Sequence, residues 1–302
     1  MKTIVGITGT TSVGKSAVAV RLAQLLGTEI ISADSMQIYK GMDIGTAKIT
    51  SEQTLGTKHH MIDVVEPNCN YSSYLYQQEA SRIINSMHTL PIVVGGTGFY
   101  FDSLVYPPEF GTSNDERRQE LQRLLATDGL QALCEILKNL DAETYATIDK
   151  QNSKRVIRAI EIAESGKLKS QGYGREKPQY NLILFVLQRS RNDLYEQIDQ
   201  RVDEMIANGL VNEVKALTDK YGVCNTSAFS AIGYKEVIEY LHGQVTLDEA
   251  VAQIKLNTRH YAKRQITYYK KMNVAEFIDV DGKDSCEIAA YIFEKLQLDN
   301  VI

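Results

Sequence analysis

A glycine-rich loop near the start of the chain has the composition of a phosphate-binding site. Its residues follow the spacing G-x-x-x-x-G-K-[ST] and are Gly9, Thr10, Thr11, Ser12, Val13, Gly14, Lys15 and Ser16. Such a loop turns its backbone N–H groups toward phosphate oxygens, and the following helix N-terminus adds partial positive charge. Lys15 would neutralise the outer phosphate and Ser16 would ligate Mg²⁺. The motif predicts a bound diphosphate or triphosphate and leaves the reaction open.

An acidic residue follows the next apolar run of the chain. Asp34 comes directly after TEIISA, which in an open α/β sheet puts it at the carboxyl edge of the strands, where ligands bind. At that position Asp34 could be a partner of Mg²⁺ or a general base. The structural alternative is capping of a helix by Asp34 or Ser35.

Apolar runs alternate with segments of helical period along the chain. Strands are predicted at residues 3–7, 28–35, 90–96, 181–188 and 274–280, and helices at residues 17–26, 191–217 and 247–272. Short buried strands alternating with helices indicate a parallel sheet covered on both faces. We therefore predict an α/β fold with a P-loop NTPase-like parallel sheet flanked by helices.

A region of purely helical period interrupts this alternation. Residues 114–172 contain helical patterns and no convincing strand, whereas NLILFVLQ after them has the character of a buried strand. We predict an all-helical insertion domain over residues 114–175. The P-loop core would then be formed by residues 1–113 and completed by residues 176–302, which also carry basic C-terminal helices.

Overall charge does not favour nucleic acid, but one segment is locally basic. The formal net charge is −5 and the pI is about 5.7, so a polyanion would have to bind a local patch. Residues 255–271, KLNTRHYAKRQITYYKK, hold six Lys or Arg and no acid. Lys255, Arg259 and Lys263 recur at i, i+4 and i+8 and would share one helix face. The alternative is a solvated surface helix.

The cysteine pattern and the length of the apolar runs indicate in which cellular compartment the protein acts. Four scattered cysteines without a CxxC pair argue against a disulfide framework or a structural zinc site. The P-loop strand follows Met1-Lys2 directly, and no run of about 18 apolar residues occurs. We expect a cytoplasmic protein that is neither exported nor membrane-spanning.

Several further motifs occur in a fixed order with the P-loop. They are GTTSVGKS, ADSMQIYKGMDIGTAK, HHMIDVVEP, VVGGTGFY, KRVIRAIEI, IGYKE and KRQITYY. Together, from Ile4 to Met272, they resemble the tRNA dimethylallyltransferase family. The resemblance implies that the P-loop holds the diphosphate of dimethylallyl diphosphate. The prenyl group would move to the exocyclic N6 of the adenosine 3′ to the anticodon, position 37, in tRNAs that read codons starting with U, and diphosphate would be released.

The same resemblance implies catalytic roles for four residues. Asp34 would take the proton from the adenine amine, and Thr97 would contact the same site. Lys15, the P-loop amides, Mg²⁺ and Arg201 would stabilise the leaving diphosphate. The alternative for Arg201 is a surface arginine paired with an acid of its own helix. His59 also matches a family position, with a structural histidine as its alternative.

The resemblance further implies contacts with the anticodon stem-loop of tRNA. The family extrudes the target base into a channel, which unpaired loop nucleotides make cheap. We expect the protein to be a monomer that binds tRNA and does not bind a membrane. The tRNA-binding residues would be Asp34, Ser35, Met36, Gln37, Lys154, Arg155, Val156, Ile157, Arg158, Ser230, Gly233, Tyr234, Lys235, Arg259, Lys263 and Arg264.

This chain departs from the family pattern at three places. Lys150-Gln151 stands where a Pro-Asn pair is frequent, Ser230 where an arginine is frequent, and Tyr268 where a tryptophan is frequent. These differences concern the tRNA contacts more than the chemistry.

Three other functions fit parts of the sequence. An adenylate isopentenyltransferase would share the donor and act on free AMP, ADP or ATP, but it needs neither the basic segment nor a large insertion. A P-loop small-molecule kinase would leave DSMQIYKGMDIGTAK without a role. A non-catalytic RNA-binding module would need neither the P-loop nor Asp34.

Overall fold

The computed structural model describes residues 1–106, 115–166, 178–272 and 274–302. The chain forms two compact units. The core unit comprises Met1–Val105 and Gln179–Ile302, and the helical unit comprises Tyr106–Pro178. The predicted domain borders at 113/114 and 175/176 lie outside the described residues.

A parallel six-stranded sheet forms the centre of the core unit. Within the described residues its order is β3-β2-β4-β1-β5-β6, and every paired neighbour is parallel. This confirms the predicted α/β fold class. The strands are β1 (Lys2–Gly9), β2 (Ile30–Ser32), β3 (His59–His60), β4 (Ile92–Val94), β5 (Tyr180–Gln188) and β6 (Ala275–Asp279).

Helices connect the strands of the core unit and make up the helical unit. They are α1 (Lys15–Leu26), α2 (Ser73–Ser86), α3 (Gly98–Val105), α4 (Asp115–Thr127), α5 (Gly129–Leu140), α6 (Ala142–Thr147), α7 (Ser153–Glu164), α8 (Arg191–Ala207), α9 (Leu210–Tyr221), α10 (Tyr234–Leu241), α11 (Leu247–Tyr269) and α12 (Ser285–Leu298). No helix in these described stretches has both the length and the apolar character needed to cross a bilayer.

The sheet is stabilised by burial of its apolar strands beneath helices α1 and α12. Val5 and Ile7 of β1 are fully buried, and they belong to one apolar cluster with Leu22 of α1 and Ile292 of α12. Each such side chain contributes about 1.5–3 kcal/mol when it is buried completely. This cluster fixes β1 and α1, and therefore both ends of the P-loop.

The stretch predicted to be helical over residues 191–217 is divided into two helices. Helix α8 ends at Ala207 and α9 begins at Leu210. Gly209 separates them with φ 98°, a backbone conformation that a glycine adopts without a Cβ penalty. Strand β3 was not predicted, since two histidines carry no strand pattern.

The helical unit has an apolar core of its own. Leu121, Leu133, Leu137 and Ile160 are fully buried in it. Beside this core, the largely buried Glu161 carboxylate pairs with Arg118 at 2.7 Å and with Arg158 at 3.0 Å.

Candidate active site

The P-loop connects the carboxyl end of β1 to the N-terminus of α1. Gly9 closes β1 with φ 144°, and a Cβ there would collide with the backbone of Leu187. Gly14, with φ 94°, is the N-cap of α1 and offers no side chain to the first N–H groups of the helix. The buried hydroxyls of Thr10 and Ser12 have no hydrogen-bond partner in the described part of the chain. These polar groups form a frame suited to an anion.

Two cations and one carboxylate meet in the cavity beside the P-loop. The cavity has a volume of about 450 Å³, and Lys15, Asp34 and Arg201 line it. The pKa of Lys15 is lowered to about 8, first by burial and then by the positive charge of Arg201, while Asp34 acts in the opposite direction. Burial also lowers the pKa of Arg201, against the attraction of Asp34 and Glu204. Because two cations repel each other, their proximity favours an anion between them.

Asp34 lies where β2 ends and is held by a short turn. Its Oδ1 accepts the N–H of Met36 at 2.9 Å and that of Gln37 at 3.4 Å. Thr97, in the turn after β4, accepts the N–H of Ser35 at 3.0 Å and donates to the Ser35 hydroxyl at 3.2 Å. The structure thus brings Asp34 and Thr97 to adjacent turns, and Asp34 still lines the cavity.

A second cavity of about 300 Å³ adjoins the first. The two cavities share the lining residues Thr11, Asp34, Thr46, Arg201 and Tyr261. One wall of the second cavity is apolar and consists of Ile198, Val202, Met205 and Ile254. The site is therefore a chamber with a phosphate-binding end and a partly apolar end, with Asp34 and Arg201 at their junction.

Helix α11 contributes two site residues that the sequence did not single out. Tyr261 and Gln265 are spaced i, i+4 and line the first cavity. Burial and the negative charge of Asp34 raise the pKa of the Tyr261 phenol. The i, i+4 spacing of these two residues was a usable signal, but only the known position of the sheet shows which face of α11 points inward.

The basic segment on α11 is less free than its sequence suggests. Lys255 pairs with Asp203 of α8 at 2.6 Å. Arg259 pairs with Asp199 of α8 and lies 5.2 Å from the centre of the Tyr195 ring. In contrast, Lys263 and Arg264 are exposed.

The other sequence-predicted tRNA residues differ in their exposure. The exposed ones are Lys154, Arg155, Ser230 and Lys235, the half-buried ones are Ser35, Met36, Gln37 and Arg158, and the buried ones are Val156, Ile157, Gly233 and Tyr234. Val156 and Ile157 belong to the core of the helical unit.

The sequence-predicted tRNA residues lie in two parts of the structure. Residues 34–37, Ser230, Gly233 and Tyr234 line the chamber. Residues 154–158 lie on α7 of the helical unit. His59 lines the first cavity, with Nδ1 2.9 Å from the Thr57 carbonyl oxygen.

Oxygen donors suited to Mg²⁺ are present at the P-loop. Ser16 and Asp34 both line the phosphate-binding cavity. Within the described ranges, no group of three or more His, Cys, Asp or Glu could hold a metal ion. Mg²⁺ is commonly bound by one or two protein oxygens together with substrate phosphates, and the donors at this site fit that mode.

One carboxylate anchors the loop that lines both cavities. Glu213 of α9 accepts the N–H groups of Asp43 at 2.9 Å, Ile44 at 2.7 Å and Gly45 at 3.1 Å. The same carboxylate accepts the hydroxyl of Tyr234 at 2.6 Å. This arrangement holds the loop that continues to Thr46 in the chamber wall.

We expect the Glu213→Gln substitution to lower the free energy of unfolding by about 1–3 kcal/mol, because its amide nitrogen cannot accept the loop N–H groups. Urea denaturation monitored by circular dichroism measures the change. Glu196→Gln, at an exposed position of α8, is the matched control and should change stability by less than about 0.5 kcal/mol. Equal stability of both variants would contradict an anchoring role for Glu213.

Comparison with known proteins places this chain in one family. The family described as IPP transferase matches residues 37–272, and the one described as isopentenyl transferase matches residues 2–66. The tRNA dimethylallyltransferase of Clostridioides difficile (strain 630) is 42% identical, covering 96% of this chain and 97% of the relative. That of Geobacillus thermodenitrificans (strain NG80-2) is 43% identical, with 98% of each chain covered.

Solved structures agree with these relatives. The tRNA isopentenylpyrophosphate transferase of Bacillus halodurans is 38% identical with a TM-score of 0.74, covering 99% of this chain and 98% of that one. A eukaryotic dimethylallyltransferase acting on tRNA is 26% identical with a TM-score of 0.85, covering 99% and 80% respectively. The chain belongs to the tRNA dimethylallyltransferase family.

Proposed function

We propose that this protein transfers a dimethylallyl group from dimethylallyl diphosphate to N6 of adenosine 37 in tRNAs that read codons starting with U, and releases diphosphate. The observation that carries this proposal is that Lys15 of the P-loop and Arg201 of α8 line one cavity with the carboxylate of Asp34. This arrangement combines an anion site with a base at the same cavity. Membership in the tRNA dimethylallyltransferase family supports the choice of both substrates.

The phosphate-binding end suits a leaving diphosphate. As the allylic C–O bond breaks, negative charge grows on the diphosphate oxygens, and pre-positioned cations and N–H groups stabilise that charge most strongly. Lys15, Arg201 and the P-loop amides would supply this stabilisation. Mg²⁺, held by Ser16 and the diphosphate, would further neutralise the charge on the leaving group.

The acceptor chemistry requires a base at the junction of the two cavities. The bond from N6 to the allylic carbon forms while the C–O bond to diphosphate breaks, and the proton on N6 passes to Asp34. Thr97 would hold the neighbouring turn through Ser35. The apolar wall of the second cavity would receive the uncharged parts of the reactants.

Recognition of tRNA would use exposed cations near the chamber and on the helical unit. Lys263 and Arg264 on α11, together with Lys154 and Arg155 on α7, are exposed. The target adenine would be extruded from the anticodon loop to reach Asp34. We further propose that the protein acts as a cytoplasmic monomer.

We expect the Lys263→Ala/Arg264→Ala double variant to weaken tRNA binding and to reduce the slope of log K against log salt by about 1–2, since each lost phosphate contact removes a released counterion. Filter binding at several salt concentrations measures the slope. Lys215→Ala removes an exposed charge on α9 that pairs with Asp219 at 2.6 Å and is the matched control. An unchanged slope in the double variant would remove these two residues from the tRNA interface.

The function is tested directly by acceptor choice. Purified protein, Mg²⁺ and dimethylallyl diphosphate are mixed with either unmodified tRNA carrying A36-A37-A38 or AMP, and prenyl addition is read by mass. Product on tRNA alone supports the proposal. Product on AMP alone indicates adenylate isopentenyltransfer, and ATP turnover without prenyl product indicates a kinase.

A further inference from the structure

Gln265 has a buried side chain whose amide forms hydrogen bonds through both its oxygen and its nitrogen. It lies on α11 with only 5% of its surface exposed. Its Oε1 accepts the N–H of Thr11 at 2.9 Å, and its Nε2 donates to the carbonyl oxygen of Gly96 at 2.9 Å. The side chain therefore joins the P-loop to the turn after β4, two segments that are far apart in sequence.

The turn that Gln265 holds leads directly to the acceptor side of the site. Gly96 precedes Thr97, whose hydroxyl accepts the N–H of Ser35 next to Asp34. A Cβ at Gly96 would lie 2.4 Å from Nε2 of Gln265, so a side chain at this position would displace the Gln265 amide from its observed place. One amide thus connects the phosphate-binding loop to the turn beside the proposed base.

A structural role alone would need only a filled space at this position. The observed side chain instead satisfies a P-loop donor and a backbone acceptor with correctly oriented hydrogen bonds, and it lines the cavity that contains Lys15 and Arg201. It also occupies the Thr11 N–H, which is thereby withheld from a phosphate. The conformation of the first half of the P-loop consequently depends on this contact.

We propose that Gln265 is a positioning residue that fixes the P-loop relative to the Gly96-Thr97 turn, and so sets the placement of the donor diphosphate relative to Asp34. This inference rests on the proposed function. Misplacement of reacting groups by about 1 Å can cost a hundredfold in rate, and loosening one hydrogen-bonded link should cost less than that.

The test compares Gln265→Met with wild type. Methionine has a similar length and volume but forms neither hydrogen bond. We expect the dissociation constant of inorganic diphosphate with Mg²⁺, measured by calorimetry, to rise about 10-fold, in line with the loss of about 1.4 kcal/mol. The single-turnover rate of prenyl transfer should also fall about 10-fold, while the dissociation constant of tRNA stays within about twofold.

Two further variants separate positioning from folding. Gln253→Met changes an exposed glutamine of the same helix that bonds Asn257 at 3.0 Å, and it should match wild type in diphosphate binding. Gln265→Glu keeps an acceptor for Thr11 but loses the donor to Gly96, and it should also bind diphosphate more weakly. Folded fractions are checked by thermal unfolding without ligand.

The outcomes are distinct from those of the acceptor assay. Diphosphate binding by folded Gln265→Met and Gln265→Glu within about twofold of wild type would overturn the positioning role. Weaker binding that disappears when the values are corrected for the folded fraction would overturn it as well. Failure of wild type to prenylate tRNA would instead contradict the proposed function, because the binding measurement needs no prenyl transfer.

Discussion

Replacement of Asp34 by asparagine should lower the single-turnover rate of prenyl transfer by about 10²–10⁴-fold, the usual contribution of a general base. Asparagine is isosteric, and its Oδ1 can still accept the Met36 N–H that Asp34 accepts at 2.9 Å. The turn should therefore keep its shape while the base is lost. The measurement is quench-flow with labelled donor at saturating tRNA.

Binding measurements distinguish a lost base from a damaged site. Because the uncharged amide of the Asp34→Asn variant would no longer attract Lys15 and Arg201, those cations should interact at least as strongly with an anion, and diphosphate should bind no more weakly. Asp63→Asn is the control, since this exposed carboxylate pairs with Lys48 at 2.6 Å. A variant at Asp34 that loses tRNA affinity but keeps its rate would refute the base assignment.

The sheet was predictable from the sequence because burial of both faces leaves a strong local signal. The runs at residues 3–7 and 181–188 are rich in branched apolar side chains, and they lie within β1 and β5. The two-residue β3 was not predictable, since its pairing of Ile30 with His59 is set by the path of the surrounding loop. Local composition cannot encode such a pairing.

The P-loop and Asp34 were identifiable because a local motif of adjacent residues identifies the P-loop and the apolar run directly before Asp34 places it at the end of a strand. Glu213 was not identifiable, because its partners at residues 43–45 lie about 170 positions away in the chain. Gln265 was not identified either, because it lies in a segment rich in lysine and arginine that was interpreted only through its charge. The sequence presents Lys255 and Arg259 as free for a polyanion, yet they pair with acids of α8. These features depend on tertiary packing and could not be derived from periodicity.

Replacement of Arg201 by methionine should lower kcat/KM for the donor by about 10²–10³-fold, as loss of a group that stabilises developing negative charge does. Arg201 lines both cavities, and its burial there lowers its pKa, so water screens its charge poorly. Arg201→Lys should retain part of the rate because it keeps the charge but not the planar donor geometry. Steady-state kinetics at varied donor concentration measures both variants.

Arg191→Met serves as the control on the same helix, since Arg191 is exposed and lies 5.3 Å from the centre of the Tyr195 ring. Its donor kinetics should match wild type. If Arg201→Met reduced tRNA affinity and left the donor kinetics unchanged, Arg201 would be a surface contact and not part of the diphosphate site.

A double variant tests whether Lys15 and Arg201 act on the same anion. The effects of groups that stabilise one charge as a unit are not additive. The double variant Lys15→Met/Arg201→Met should therefore lower kcat/KM for the donor by clearly less than the product of the two single fold-reductions. The reason is that removal of either cation already displaces the diphosphate from the position where the remaining cation stabilises it. Fully multiplicative effects would mean that the two cations act on separate groups, and the mutual influence of their charges would then reflect proximity alone.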